Sequence, residues 1–115
     1  MTCRLAKFHE VGNTSYFISD NGVVYSSRSL HAGRLTYKNM DDAEFFRMFR
    51  PIASFNGKGY RRVRIRGENF KIHRLVATYF VPNRDYLPYV LHKDGDFTNN
   101  HYYNLVWSRT QSNQK

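Results

Sequence analysis

The sequence has 115 residues, of which 41% are apolar and 17% aromatic. This size suits one domain, and the content of core-forming side chains is too high for a disordered chain, so we expect it to fold. The 18 Lys and Arg outnumber the nine Asp and Glu, which gives a net charge of +9. Such an excess favours an anionic partner, with nucleic acid the first candidate.

No apolar run approaches the roughly 20 residues that a membrane-spanning helix needs, and the opening residues lack the apolar stretch of a signal peptide. We therefore expect a cytoplasmic protein with no membrane partner. The single cysteine, Cys3, excludes internal disulfides and a Cys-rich zinc ribbon.

Residues 10–56 are predicted to form a small β module. The stretches 16–19 (YFIS) and 23–26 (VVYS) are separated by Asp-Asn-Gly, which favours a tight hairpin because Asn-Gly tolerates positive φ. Residues 27–44 are polar and mixed, and three acidic residues precede two phenylalanines there. That segment is compatible with either a short helix or an ordered loop.

Residues 57–82 contain seven basic side chains and one acidic side chain. In the run RRVRIR, arginines alternate with Val63 and Ile65, which predicts a strand over 60–66 with one basic and one apolar face. A turn at 67–69 then leads to a second strand ending near residue 72. Apolar residues at helical spacing predict a helix over 73–80 that Pro82 ends, with His73 capping or packing. The basic face either lies along a phosphate backbone or is simply solvated.

Residues 86–115 form the third segment. Strands are expected at 89–91 and 104–107 with a turn at 94–96 between them, and the last residues could begin a helix. Trp107 is expected in the core. A 22-residue window of this segment is dense in side chains suited to a one-metal phosphodiesterase site, although each is a weak signal alone: His92, Asp94, Asp96, Asn99, Asn100, Asn104 and Asn113.

The run His92-Lys-Asp-Gly-Asp, followed by Asn99-Asn100 and by Asn104-Leu-Val-Trp, resembles the HNH endonucleases of the bacteriophage homing type. Two upstream stretches, YFISDNGVVYSSRS and GYRRVRIRGENFKIHRLVATYFVPN, resemble the small β module and the hairpin and helix that precede such sites. The resemblance covers residues 10–113. It implies one α+β domain over 1–115: a β module, a basic hairpin with a short helix, and a ββα-metal unit.

By this resemblance His92 is the general base that activates water for attack on a phosphodiester of double-stranded DNA, with one Mg²⁺ or Mn²⁺ as cofactor. Asn104 corresponds to the residue that orients the base through its backbone carbonyl or its side-chain oxygen, and Asn113 to a metal ligand. The remaining loop residues, Asp94, Gly95, Asn99 and Asn100, are expected to form the turn and hold the loop backbone. The DNA-binding residues are predicted to be Arg61, Arg62, Arg64, Arg66, Lys71 and Arg74.

The sequence departs from the HNH pattern just before His92, where the family has a metal ligand and this chain has Leu91. Leucine has no donor atom, so metal binding and cleavage are expected to be weakened. A first alternative is therefore a catalytically impaired HNH protein that acts by binding DNA or by inhibiting a host protein. A second alternative, a basic RNA-binding or ribosome-associated protein, explains the charge but not the 92–113 cluster.

Overall fold

The computed structural model describes residues 4–28, 42–57 and 59–110. Within them it has three antiparallel sheets and two α-helices, so the chain is a small mixed α+β protein that consists mostly of strands. The strands are β1 (Leu5–Val11), β2 (Thr14–Ser19), β3 (Val24–Arg28), β4 (Arg50–Ile52), β5 (Phe55–Gly57), β6 (Tyr60–Ile65), β7 (Glu68–Lys71), β8 (Tyr89–His92) and β9 (Leu105–Ser108). The helices are α1 (Asp42–Met48) and α2 (Ile72–Phe80), and a 3-10 turn covers Tyr102–Asn104.

The first sheet has the order β1-β2-β3-β4. The predicted hairpin is present as β2 and β3, and Gly22 in its turn has φ 91°. Of the segment 27–44, residues 29–41 lie outside the described ranges, and its end is helical: α1 begins at Asp42 and contains Phe45, and Phe49 follows one turn later on the same side. Both rings are fully buried and pack edge-on against Tyr25 and Phe17, which gives the short helix its tertiary support.

The second sheet has the order β5-β6-β7 and contains the predicted basic strand. Val63 and Ile65 of β6 face the core and are almost fully buried. The turn to β7 lies one residue earlier than predicted, at Arg66 and Gly67, whose φ angles are 52° and 85°. Two successive positive φ angles define the primed two-residue turn that matches the twist of a hairpin, so β7 already begins at Glu68.

Helix α2 follows β7 without a loop and packs its apolar side on the main core. That buried cluster takes residues from all three sheets, for example Ile18, Val63 and Leu105, together with Val76 of α2. Strands β1, β4 and β5 were not predicted from the sequence. Strands β4 and β5 have three residues each, and β1 lacks a clear alternation of apolar and polar residues. In the described ranges, neither helix has the length and apolar character needed to cross a membrane.

The third sheet is the hairpin of β8 and β9, in which Val90 pairs with Trp107 and His92 pairs with Leu105. Trp107 is half-buried against the main core, and its indole Nε1 donates to the carbonyl of Val81 at 3.0 Å. The sequence predicts that Asn104 begins β9, but it lies in the 3-10 turn just before that strand, so β9 begins one residue later than predicted. The helix expected after this hairpin falls outside the described residues.

Candidate active site and basic face

His92 is the last residue of β8, and only 1% of it is exposed. Its Nε2 lies 2.7 Å from Oδ1 of Asn100, which is also buried. Since an amide oxygen only accepts hydrogen bonds, Nε2 carries the proton, and in the neutral ring Nδ1 is the nitrogen able to accept one. The Asn100 contact therefore sets the tautomer of the candidate base.

Three further rings surround His92. The ring centroid of His73 is 5.2 Å from that of His92, and the centroids of Phe97 and Tyr60 are at 5.4 and 6.2 Å. Tyr60 stacks on both His73 and Phe97, at 4.6 and 4.8 Å. We call His92, His73, Phe97 and Tyr60 the aromatic cluster. The other three rings enclose that of His92, so a phosphodiester in solvent does not touch the imidazole in this arrangement.

Asn104 is buried and organises the loop after β8. Its Nδ2 donates to Oδ1 of Asp94 and to the carbonyl of Asn99, both at 2.9 Å, and its Oδ1 accepts from the Asp94 amide at 3.3 Å. The structure thus brings His92, Asp94, Asn99, Asn100 and Asn104 together in and around this loop. The side-chain amide on the His92 ring belongs to Asn100, whereas Asn104 holds the loop.

The two loop carboxylates are exposed and bound within the loop. Asp94 accepts from the side chains of Asn99 and Asn104 and from the Asp96 amide. These hydrogen bonds, that of Asn99 foremost, lower the pKa of Asp94 to about 2. Asp96 accepts from the hydroxyl and the amide of Thr98, which lowers its pKa in the same way. Gly95 has φ 77°, as a tight turn at this point requires.

The described residues do not supply a divalent-metal site at His92. Leu91 carries no donor atom, and no group of three His, Cys, Asp or Glu side chains suited to a metal occurs in residues 4–28, 42–57 and 59–110. Asn113, the predicted metal ligand, lies outside these ranges. The donor set described here therefore does not fit the ion that the family resemblance implies.

Four of the six predicted DNA-binding residues lie on or beside one surface, which we call the basic face. Arg62 pairs with Lys71 across β6 and β7, so both side chains lie on the same side of the sheet, as does Arg64 two residues along. Arg64 and Lys71 are exposed, and Arg66 follows exposed in the turn. Tyr60 shares this side of β6, which connects the basic face to the aromatic cluster.

The other two predicted DNA-binding residues are bound to the protein itself. Arg61 donates to the hydroxyl of Ser54 at 2.6 Å and to its carbonyl at 3.2 Å. Arg74 donates to the carbonyl of Pro88 at 2.6 Å, and its guanidinium lies 5.4 Å from the Trp107 ring. In each of these two residues, the contacts with the protein occupy some of the N–H donors of the guanidinium.

Tyr60 and Phe97 have no signal in the sequence that would place them at His92. Tyr60 is far from His92 along the chain and Phe97 lies in a loop, and only the tertiary fold, in which α2 contacts both β6 and β8, brings the rings together. Asn100 was recognisable as polar and close in sequence, but its ring contact depends on how the loop folds back.

No protein-family model matches the sequence, and no curated protein matches it. Among solved structures, the chain is similar to one described as "DNA binding and cleavage by the HNH homing endonuclease I-HmuI". The sequences are 30% identical, the TM-score is 0.53, and the match covers 81% of this chain. The fold is HNH-like. The match covers 45% of the endonuclease chain, so this chain spans less than half the length of that protein.

The HNH-like fold agrees with the resemblance found in the sequence. Within this fold, His92 lies at the end of the first strand of the β8–β9 hairpin, and asparagines hold the loop that follows. A function can be argued from two features of this HNH-like fold, the exposed basic face and the largely buried aromatic cluster.

Proposed function

We propose that the protein binds double-stranded DNA through the basic face. The observation that carries this proposal is the in-register pairing of Arg62 with Lys71, which places cations of two strands side by side with Arg64 on one side of one sheet. An ordinary solvated face mixes charges of both signs, whereas the charged residues on this side of β6 and β7 are all cationic. The similarity to a structure of DNA binding and cleavage by a homing endonuclease supports the same partner.

The expected mode of binding is contact with the phosphate backbone. Long cationic side chains on a sheet surface neutralise phosphates and release counterions, which positions a duplex without reading its bases. We therefore expect affinity that falls steeply with salt and depends little on base sequence.

The test is fluorescence anisotropy of a labelled duplex over a range of salt concentrations. The double variant Arg64→Gln/Arg66→Gln removes two cations from the basic face and its turn, and should reduce the slope of log K against log salt by about two. The matched control Arg47→Gln/Arg50→Gln removes the same charge from exposed positions of α1 and β4. Equal losses in both variants would mean that net charge alone attracts DNA, and would overturn the proposal.

A second candidate function is metal-dependent cleavage of DNA at His92. The hydrogen bond from His92 Nε2 to Asn100 favours it, because it leaves Nδ1 as the acceptor that a general base requires. In this candidate His92 is the base, Asn104 supports it through the loop, and Asn113 binds Mg²⁺ or Mn²⁺. Leu91 and the enclosure of His92 predict a rate far below that of a complete HNH site.

Relaxation of supercoiled plasmid in Mg²⁺ or Mn²⁺ separates the two functions. The protein is compared with His92→Ala and Leu91→Asp, and duplex binding in EDTA is measured alongside. Nicking that is lost in His92→Ala establishes cleavage at this site. If only Leu91→Asp nicks while all three proteins bind DNA equally, the protein acts by binding, and cleavage is excluded for the chain as it stands.

A further inference from the structure

A small cleft lies beside the start of α2, between that helix and the segment 88–90. Its volume is about 160 Å³, and it is lined mainly by Tyr60, Lys71, His73, Arg74, Pro88 and Tyr89. This volume corresponds to roughly five waters in the liquid and is smaller than the pockets that hold drug-sized ligands. The cleft therefore fits one small chemical group.

The start of α2 favours an anion in this cleft. The helix begins after Lys71 with no side-chain hydrogen bond to cap it and no acidic residue in its first turn. The first amides of a helix lack partners within the helix, and they carry the positive end of its dipole. Lys71, His73 and Arg74 are the N-cap residue and the second and third residues of α2, so the start of the helix contributes three of the residues that line the cleft.

His73 gives an independent indication of a ligand. Only 6% of the residue is exposed, and its Nδ1 is buried with no hydrogen-bond partner among the residues that the structure describes. One face of the ring stacks on Tyr60, and the residue lines the cleft. A buried imidazole nitrogen normally has a partner, so a group in the cleft that can form a hydrogen bond would supply the missing one.

The charges around His73 are cationic. Burial lowers the pKa of His73 to about 3, with further lowering by electrostatic interaction with His92, Lys71, Arg74 and Arg62. The imidazole is thus neutral at pH 7, and it lies in a field that attracts an anion.

We propose that this cleft is a binding site for one phosphate group of the DNA backbone, held by the Lys71 ammonium, the first amides of α2 and the His73 ring. The identity of the ligand as DNA rests on the proposed function. Lys71 pairs with Arg62 in the sheet, so the cleft lies at the end of the basic face. Tyr60 and His73 belong both to the cleft and to the aromatic cluster, so the cleft shares two rings with the cluster that contains His92.

The first test uses inorganic phosphate as the probe and the ring signals of His73 in NMR spectra as the readout. We expect a saturable change in those signals with phosphate that chloride at the same ionic strength does not produce. Lys71→Gln should weaken phosphate binding roughly five- to tenfold because a charge-assisted contact is lost. The exposed control Arg50→Gln should leave it unchanged. The same response to chloride, or an unchanged affinity in Lys71→Gln, would overturn the proposal.

The second test adds a short duplex and distinguishes DNA from a free anion. Saturating duplex should change the His73 signals and abolish the response to phosphate, and Lys71→Gln should reduce the salt slope of duplex binding by about one. If the duplex binds with the expected dependence on Arg64 and Arg66 but leaves His73 unchanged, the cleft proposal fails and the proposed function stands. If phosphate saturates His73 and the duplex does not bind, DNA binding fails and the cleft is a site for a free phosphate.

Discussion

At the scale of single residues, the asparagines of the 92–104 region differ in what they hold. Asn100 contacts the His92 ring, and Asn104 is the buried link between the two ends of the loop. Asn99 contributes one side-chain contact, to the exposed Asp94 carboxylate. Their consequences for stability should therefore differ as well.

We predict that Asn104→Ala lowers the free energy of unfolding by about 2–3 kcal/mol, because two donor contacts are lost and loop groups are left without partners. Asn99→Ala removes one hydrogen bond at the loop surface and should cost less than about 1 kcal/mol. Urea denaturation of both variants measures the difference. Equal losses would show that burial of Asn104 does not control the loop.

His73 should make stability depend on pH. Its pKa is about 3 in the folded protein against 6.5 for a free histidine, so only the unfolded chain gains a proton as the pH falls through 6.5. Stability from this residue is therefore full above about pH 6.5 and decreases down to about pH 3.

Urea midpoints at pH 7 and pH 4.5 test this dependence. The wild-type protein should be less stable at the lower pH, and His73→Gln, which cannot titrate, should show a smaller difference between the two values. Asp94 has a folded pKa of about 2, so it stays ionised in the folded state over this interval. The same decrease in His73→Gln as in the wild type would contradict the assignment.

At the scale of elements, the β6–β7 hairpin carries a conformational cost at its turn. Arg66 has φ 52°, in the left-handed region that costs most residues roughly 1–2 kcal/mol, while Gly67 adopts its φ of 85° freely. An arginine at this position extends the basic face, which is consistent with a role in binding rather than in folding.

Arg66→Asn should accordingly raise the free energy of unfolding by about 0.5–1 kcal/mol, since Asn tolerates this conformation, while it weakens duplex binding. Arg64→Asn is the matched control. It removes the same charge from an extended strand position, where Asn is unfavourable, and should bring no gain in stability. Thermal or urea unfolding with anisotropy on the same samples gives both quantities, and a less stable Arg66→Asn would refute the strain argument.

At the scale of the whole molecule, the N-terminal sheet supports the candidate active site. The Tyr102 amide donates to the carbonyl of Asp20 at 2.8 Å, and Gly22 of the same β2–β3 turn lies directly against Asn100. A Cβ added at Gly22 would lie 2.8 Å from the Asn100 Cβ. The position of the amide on the His92 ring is thus fixed by a turn about 80 residues away in the chain.

We predict that Gly22→Ala costs about 2–3 kcal/mol and changes the NMR signals of the His92 ring, because it combines an unfavourable positive φ with displacement of Asn100. Gly12→Ala is the control. It has φ 59° but nothing within 4 Å of the added Cβ, so it should cost about 1 kcal/mol and leave His92 unchanged. Undisturbed His92 signals in Gly22→Ala would show that the β2–β3 turn does not fix the position of Asn100 on the His92 ring.

The elements that sequence predicts well are those with their own local signal. Alternation in RRVRIR, Asn-Gly at the first hairpin and helical spacing before Pro82 each follow from a period or a turn chemistry within a few residues. Strands β1 and β4 have no such signal, since short strands are defined by the neighbours with which they pair. The role of Asn113 as a metal ligand and the use of Mg²⁺ or Mn²⁺ as a cofactor stay predictions.

The sequence by itself determined the basic strand, the polar cluster after residue 91 and the missing donor at Leu91, because residue identity and periodicity alone carry those features. Only the tertiary structure decided that Asn100 contacts the His92 ring, that Tyr60 and Phe97 lie beside it, and that Arg61 is bound to Ser54. These are contacts between segments brought together by burial of a shared core, and no local pattern encodes which side chains then meet.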